Sequence, residues 1–213
     1  MYDINKKIIF THPPKCGGTS IEELFGFLKL REKYKHIHKF KHASLKDHIE
    51  ELKSKNVNFH DFFKFSIVRN PWERAVSFYN HKKHQAYEMW LAERFEGEEM
   101  PPYIKDARSM TFKDYIFRYG KHNFNSQFST KPFMFFEDKF YLDYVIRLEH
   151  LQEDLLALKD RLQIDPSVSI PHRNNANVYI KRKHYTEYYD TETKNYIERC
   201  FEWDIKTFNY KFT

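Results

Sequence analysis

The sequence predicts an α/β fold with a mainly parallel sheet. Short apolar runs that read as strands alternate with longer stretches of helical spacing, and a glycine-containing turn joins the first strand to the first helix. Lys6–Thr11 (KKIIFT) is the first strand, apolar at its centre. His12–Gly18 forms the turn, and Thr19–Leu30 reads as a helix. Ser44 caps a further helix, with Asp47 three residues on in a variant of the capping box and Leu45, Ile49 and Leu52 on one face. Phe62–Val68 (FFKFSIV) is a second, buried strand. It ends at Arg69-Asn70-Pro71, where Asn70 suits an N-cap and Pro71 a first helical position. The helix that follows buries a stripe of Trp72, Ala75, Val76 and Tyr79. Arg94–Ser109 is charged and holds Pro101-Pro102, so residues 93–110 read as an exposed insert or lid. Thr111 opens a short helix, Tyr144–Leu148 is a third strand, and Leu151–Leu162 is its helix. Ser167–Asn177 reads as a loop and Thr191–Thr207 as one last amphipathic helix.

Composition sets bounds on function. The 213 residues suit a single domain over 1–213, and 41% hydrophobic with 18% aromatic content supplies a sizeable core. Charged residues reach 31%, and no apolar run approaches the roughly 20 residues of a spanning helix. Met1–Lys7 is polar and lacks a signal-peptide pattern. Cys16 and Cys200 are too few for a disulfide framework, so a reducing, cytoplasmic setting is expected. A net charge of +6 suits anionic ligands such as nucleotides, acidic glycans or nucleic acid without choosing among them. No recognised nucleic-acid-binding module is present.

Two constellations carry chemistry. The first is His12-Pro13-Pro14-Lys15-Cys16-Gly17-Gly18-Thr19-Ser20, a strand, a glycine turn and a helix start. Its glycines let the backbone approach a ligand. The N–H groups of Gly18, Thr19 and Ser20, with the helix dipole, favour a phosphate. An ordinary strand-to-helix turn with a surface lysine accounts for the same residues. The nucleoside-triphosphate loop is excluded, because it ends in Gly-Lys-Ser/Thr and here Lys15 precedes the glycines. A cysteine phosphatase is disfavoured because Glu22 stands where an arginine is needed, which makes Cys16 a packing residue. The second constellation is Phe65 to Tyr79, in which Arg69 at a strand end can fork onto phosphate oxygens. Arg74 and Ser77 share the helix face away from the apolar stripe, where solvated surface residues are equally expected.

Pro14 to Ser20 resembles the 5′-phosphosulfate loop of sulfotransferases that use 3′-phosphoadenosine 5′-phosphosulfate (PAPS), and Val68 to Tyr79 resembles their 3′-phosphate segment. Arg147 to Leu151, Tyr188 to Asp190 and Asp204-Ile205 are similar to the carbohydrate branch of that family. Cys16 departs from the usual threonine or serine and removes one hydroxyl from the loop. The resemblance implies a P-loop-like sheet flanked by helices, with PAPS as donor and adenosine 3′,5′-bisphosphate as product. It implies that Lys15 contacts the phosphosulfate and its bridging oxygen. Gly17, Gly18, Thr19 and Ser20 would cradle the 5′-phosphate, and Arg69 and Ser77 would hold the 3′-phosphate.

The general base has several candidates among His36, His38, His42 and His48. His42 resembles the histidine before a helix in glycan sulfotransferases, and its place ahead of the N-cap Ser44 disfavours imidazolium. Glu23 is the alternative base, although Glu22 and Glu23 also suit dipole compensation in a first turn. His36 with His38, or His81 with His84, lacks a cysteine or carboxylate partner at metal-site spacing, so no metal is expected. Arg173, Asn174, Asn175, Lys181, Arg182 and Lys183 form a late basic stretch, suited to a nucleotide-covering loop or to a solvated surface. The expected activity is sulfuryl transfer from PAPS to a hydroxyl of a carbohydrate, which could itself be anionic. Lipid, small-alcohol or protein-tyrosine acceptors, and a non-catalytic nucleotide or glycan binder, are the rivals.

Overall fold

The computed structural model describes residues 1–27, 41–86, 88–89, 99–124, 129–165 and 183–213. His36, His38, Arg173 to Asn175, Lys181 and Arg182 lie outside them, as does the loop expected at Ser167–Asn177. The chain groups into two compact units. The first is Met1–Arg69 with Thr130–Ile180, and the second is Asn70–Ser129 with Lys181–Thr213.

The first unit is built on a four-stranded sheet in the order β1-β2-β3-β6. Its strands are β1 (Tyr2–Asp3), β2 (Ile8–Thr11), β3 (Phe63–Val68) and β6 (Tyr144–Arg147). A small hairpin of β4 (Phe135–Phe136) and β5 (Lys139–Phe140) stands apart from it. β2 pairs with β3, and β3 with β6, in parallel; only β1 joins antiparallel. The mainly parallel sheet is therefore as the sequence predicts.

The central strands β2 and β3 are buried on both faces, which explains why they read as largely apolar runs rather than alternating ones. Side chains along β2 alternate between two cores. Ile8 and Phe10 join Ile21 of helix α1 (Gly18–Leu24), Phe25 just beyond it, and Leu155 and Leu158. Ile9 joins Leu45 and Leu52 of helix α2 (Leu45–Ser54). At the start of α2 the Ser44 side chain accepts from the Asp47 N–H, and Asp47 accepts from the Ser44 N–H, so the expected capping box forms. α1 stops at Leu24, short of the expected Leu30. Gly26 follows at φ +76, the left-handed conformation that ends helices.

The second unit is helical. It contains α3 (Pro71–Asn80), α4 (Pro102–Ser109) and α5 (Phe112–Phe124), then α7 (Thr191–Cys200) and α8 (Glu202–Phe208); α6 (Leu151–Arg161) belongs to the first unit. Asn70 caps α3 by accepting from the Trp72 and Glu73 N–H groups, and Pro71 occupies its first turn. Trp72, Ala75, Val76 and Tyr79 are buried as expected, in a core shared with Tyr115, Ile116 and Ile197.

Two expectations are corrected here, the solvated face of α3 and the unbroken last helix. Arg74 and Ser77 are buried as well, so α3 has no solvated face where they lie; the Arg74 guanidinium packs 5.9 Å from the Phe201 ring centroid. Of the stretch expected as an exposed insert or lid, residues 93–98 lie outside the described residues, and the rest carries α4, which exposes Tyr103, Lys105 and Arg108 and buries Ile104 and Ala107. The last helix is broken at Phe201, whose ring is buried and whose backbone (φ −117, ψ 25) leaves the helical region. Among the described residues no helix is long and apolar enough to cross a membrane.

Candidate active site

Parallel pairing sets Thr11 of β2 beside Ser66 of β3, so the chain leaves both strands on one edge of the sheet. That edge is where ligands bind in open α/β sheets. From β2 the chain enters the loop His12–Gly17, and from β3 it enters Arg69. Lys15 (φ 64) and Gly17 (φ 81) both take the left-handed conformation. For a lysine this costs about 1–2 kcal/mol. Gly17 is additionally crowded: a Cβ there would stand 2.7 Å from Leu148 Cδ1. The Arg69 guanidinium donates to the Lys15 carbonyl at 3.1 Å and so braces the loop across the two strand ends.

As the first two residues of α1, Gly18 and Thr19 have no intrahelical acceptor for their N–H groups. Ser20 differs from the expectation, because its N–H makes a 3.3 Å bond to the Gly17 carbonyl. Its side chain is buried, whereas Lys15 and Thr19 are half-exposed and Gly17 is exposed. Cys16 is fully buried in the core beneath the loop, with Sγ 3.7 Å from the Pro14 carbonyl, as its packing role predicts.

Gly18 has a reason of its own to be glycine. A Cβ at this position would overlap the His12 ring. That ring is buried against Phe10, and its Nδ1 lies 2.6 Å from Oε1 of the fully buried Glu22. Sequence reading missed this pair, treating Glu22 as a first-turn acid. α1 begins at Gly18, so Glu22 falls in the second turn and faces back to the end of β2. A histidine closing a strand, ahead of a helix that must pack on that strand, is the signal that could have found it. Glu23, the alternative base, is half-buried one position on, about 100° around α1.

His42 reaches the same cluster from the far side. Its ring lies edge-on to His12, with centroids 4.7 Å apart, and its Nδ1 is 2.8 Å from the His12 carbonyl oxygen. A carbonyl only accepts, so Nδ1 carries the proton and Nε2 keeps its lone pair. Burial of the ring's inner side, followed by the neighbouring His12, pushes the His42 pKa down to about 4. The residue as a whole is exposed, and solvent at its outer face screens part of this effect. Burial thus outweighs the helix dipole as the cause of its neutrality.

His12 and His48 are also lowered, burial being the largest cause for each; the Glu22 hydrogen bond opposes it at His12, and the nearby amino group of Met1 adds to it at His48. Each of the three therefore titrates lower when folded than its unfolded value near 6.5. Above that pH both states are neutral and the stability is complete. Below it the unfolded chain binds protons the folded chain refuses, and stability falls with a slope of up to about 1.4 kcal/mol per pH unit for each group. Urea midpoints are expected to drop steeply between pH 7 and pH 5, and a flat profile there would contradict neutral burial of these rings.

A braced glycine turn at the carboxyl edge of a parallel sheet, with a histidine beside it, places the candidate site where α/β proteins of this kind bind their ligands. The chain belongs to the sulfotransferase family, whose pattern matches residues 1–211. Its activity is accordingly that of a transferase of sulfuryl groups. No curated protein and no solved structure gives a significant match to it.

Proposed function

We propose that this protein transfers the sulfuryl group of PAPS to a hydroxyl of a carbohydrate acceptor, in line and without a metal. The observation that carries the reading is the joining of Lys15, Gly17, Gly18, Arg69 and His42 around the ends of β2 and β3. The family match spans both compact units, which supports a single catalytic domain over 1–213.

The residues fit the donor. Lys15 is presented from a left-handed turn, Gly18 and Thr19 open α1 with N–H groups that have no intrahelical acceptor, and Arg69 stands at the end of β3 against the same turn. Thr19 and Ser20 complete the cradle of the 5′-phosphate; Arg69 and Ser77 take the 3′-phosphate on sequence resemblance alone. In the transfer step a bond forms between the acceptor oxygen and sulfur while the bond from sulfur to the bridging oxygen breaks. Nε2 of His42 takes the hydroxyl proton, and Lys15 neutralises charge on the departing bisphosphate. Glu23 is the rival base.

Calorimetry with adenosine 3′,5′-bisphosphate tests the donor site. Charge-assisted hydrogen bonds contribute about 1.5–3 kcal/mol each, so Arg69→Ala is expected to weaken binding more than tenfold. Equal affinity for the ligand with and without its 3′-phosphate would overturn the assignment. Labelled PAPS offered with oligosaccharides, lipids and phenols tests the acceptor: label confined to phenols or lipids moves the protein to the rival acceptor class.

A further inference from the structure

The Glu22–His12 pair is unexplained by donor binding. An ion-paired or hydrogen-bonded histidine and glutamate, both buried, is expensive to place in a core unless it performs a task. The pair touches the site in three ways. Its ring presses on Gly18 of the donor loop, its backbone carbonyl holds Nδ1 of His42, and its carboxylate places negative charge behind both rings. Lys41 is a cation that acts on both rings; the amino group of Met1 also acts on His12, but burial lowers its own pKa to about 5, so it is uncharged at neutral pH. Glu22 is an anion that acts on both rings.

We infer that Glu22 is a positioning residue for the transfer reaction: it anchors His12, and through the His12 carbonyl it fixes the tautomer and orientation of His42 while counterbalancing the proton that His42 receives. This rests on the proposed role of His42 as base. The chemistry follows from the geometry. For His42 to accept a proton at Nε2, its Nδ1 must already be protonated. A carbonyl held still at 2.8 Å enforces that tautomer, and a carbonyl free to swing does not. Residue 12 begins the loop after β2, and its side chain is the anchor that fixes it to α1 through Glu22. When His42 becomes imidazolium, the cluster holds a new positive charge next to Lys41, and the Glu22 carboxylate offsets it.

The test uses the full chain with labelled histidine ring nitrogens, bound to adenosine 3′,5′-bisphosphate at pH 7.5. In the wild type, nitrogen resonances are expected to show His12 protonated at Nδ1, and His42 protonated at Nδ1 with a bare Nε2. Glu22→Gln is expected to shift His42 toward a mixture of tautomers. It should lower kcat about tenfold with bisphosphate affinity kept within about twofold, and Glu22→Asp should recover part of the loss. An unprotonated Nδ1 on His12 or His42 in the wild type overturns the inference even if no variant folds. So does an unchanged His42 spectrum in Glu22→Gln, or a parallel loss of turnover and bisphosphate affinity. Absence of any transfer by the wild type would defeat the sulfotransferase reading alone, since the ring-nitrogen spectra judge the positioning role without activity.

Discussion

His42→Ala is expected to lose about 10²–10⁴-fold in turnover, the range general base catalysis supplies, while binding the bisphosphate normally. The separation follows from the structure. His42 lies beside α2 and touches the donor loop through the His12 backbone carbonyl, so no donor contact disappears with its side chain. Because its folded pKa is depressed, the ring is a free base at neutral pH, and the wild-type rate should be flat with pH from about 6 upward rather than rising through 6.5. Steady-state kinetics on His42→Ala and Glu23→Gln, with calorimetry on both, give the measurement. The reverse ranking would move the base to Glu23. If neither variant loses more than a few-fold, transfer depends on positioning and leaving-group stabilisation, as a loose transition state permits.

Lys15→Ala is expected to lower kcat about 10²–10³-fold, comparable to removing a donor from an oxyanion site, and to weaken PAPS binding far less. Negative charge on the bridging oxygen is greater in the transition state than in the bound donor, so an ammonium directed there acts mainly on the rate. The Lys15 backbone conformation and its carbonyl, which receives Arg69, are retained in the variant, so the loop keeps its brace. Single-turnover rates set against PAPS dissociation constants distinguish the two effects. A variant with unchanged turnover and reduced affinity would make Lys15 a ground-state ligand only. Lys15→Arg should restore charge but not position, since a guanidinium is longer and planar.

What the sequence disclosed was local in origin. The Ser44–Asp47 box and the Asn70-Pro71 start are settled within four residues, so both were legible and both form. β2 and β3 were found because strands buried on both faces are largely apolar, and β6 because Tyr144, Val145 and Ile146 form a short β-branched and aromatic run. β1, β4 and β5 have only two residues each, too short to carry a pattern, and they exist through their partners. Burial of Arg74 and Ser77 depends on a core that wraps α3 on every side, which spacing along one helix does not reveal. The turn from β2 into α1 was legible as a glycine-containing motif. The His12–Glu22 pair was not, because ten residues and a change of direction separate its members, and only the packing of α1 onto β2 brings them together.

The position of His12 has a consequence for how this sequence can vary. One residue meets Gly18 with its ring, Glu22 with its imidazole nitrogen and His42 with its carbonyl. Substitutions at those three sites therefore share a common neighbour, and their effects should fail to add. Drift at any one of them would then be tolerated or rejected according to the state of the other two. Histories of this chain should show Gly18, Glu22 and His42 changing together or staying fixed together, while exposed Gly17 answers to its left-handed backbone and to Leu148 instead of to His12.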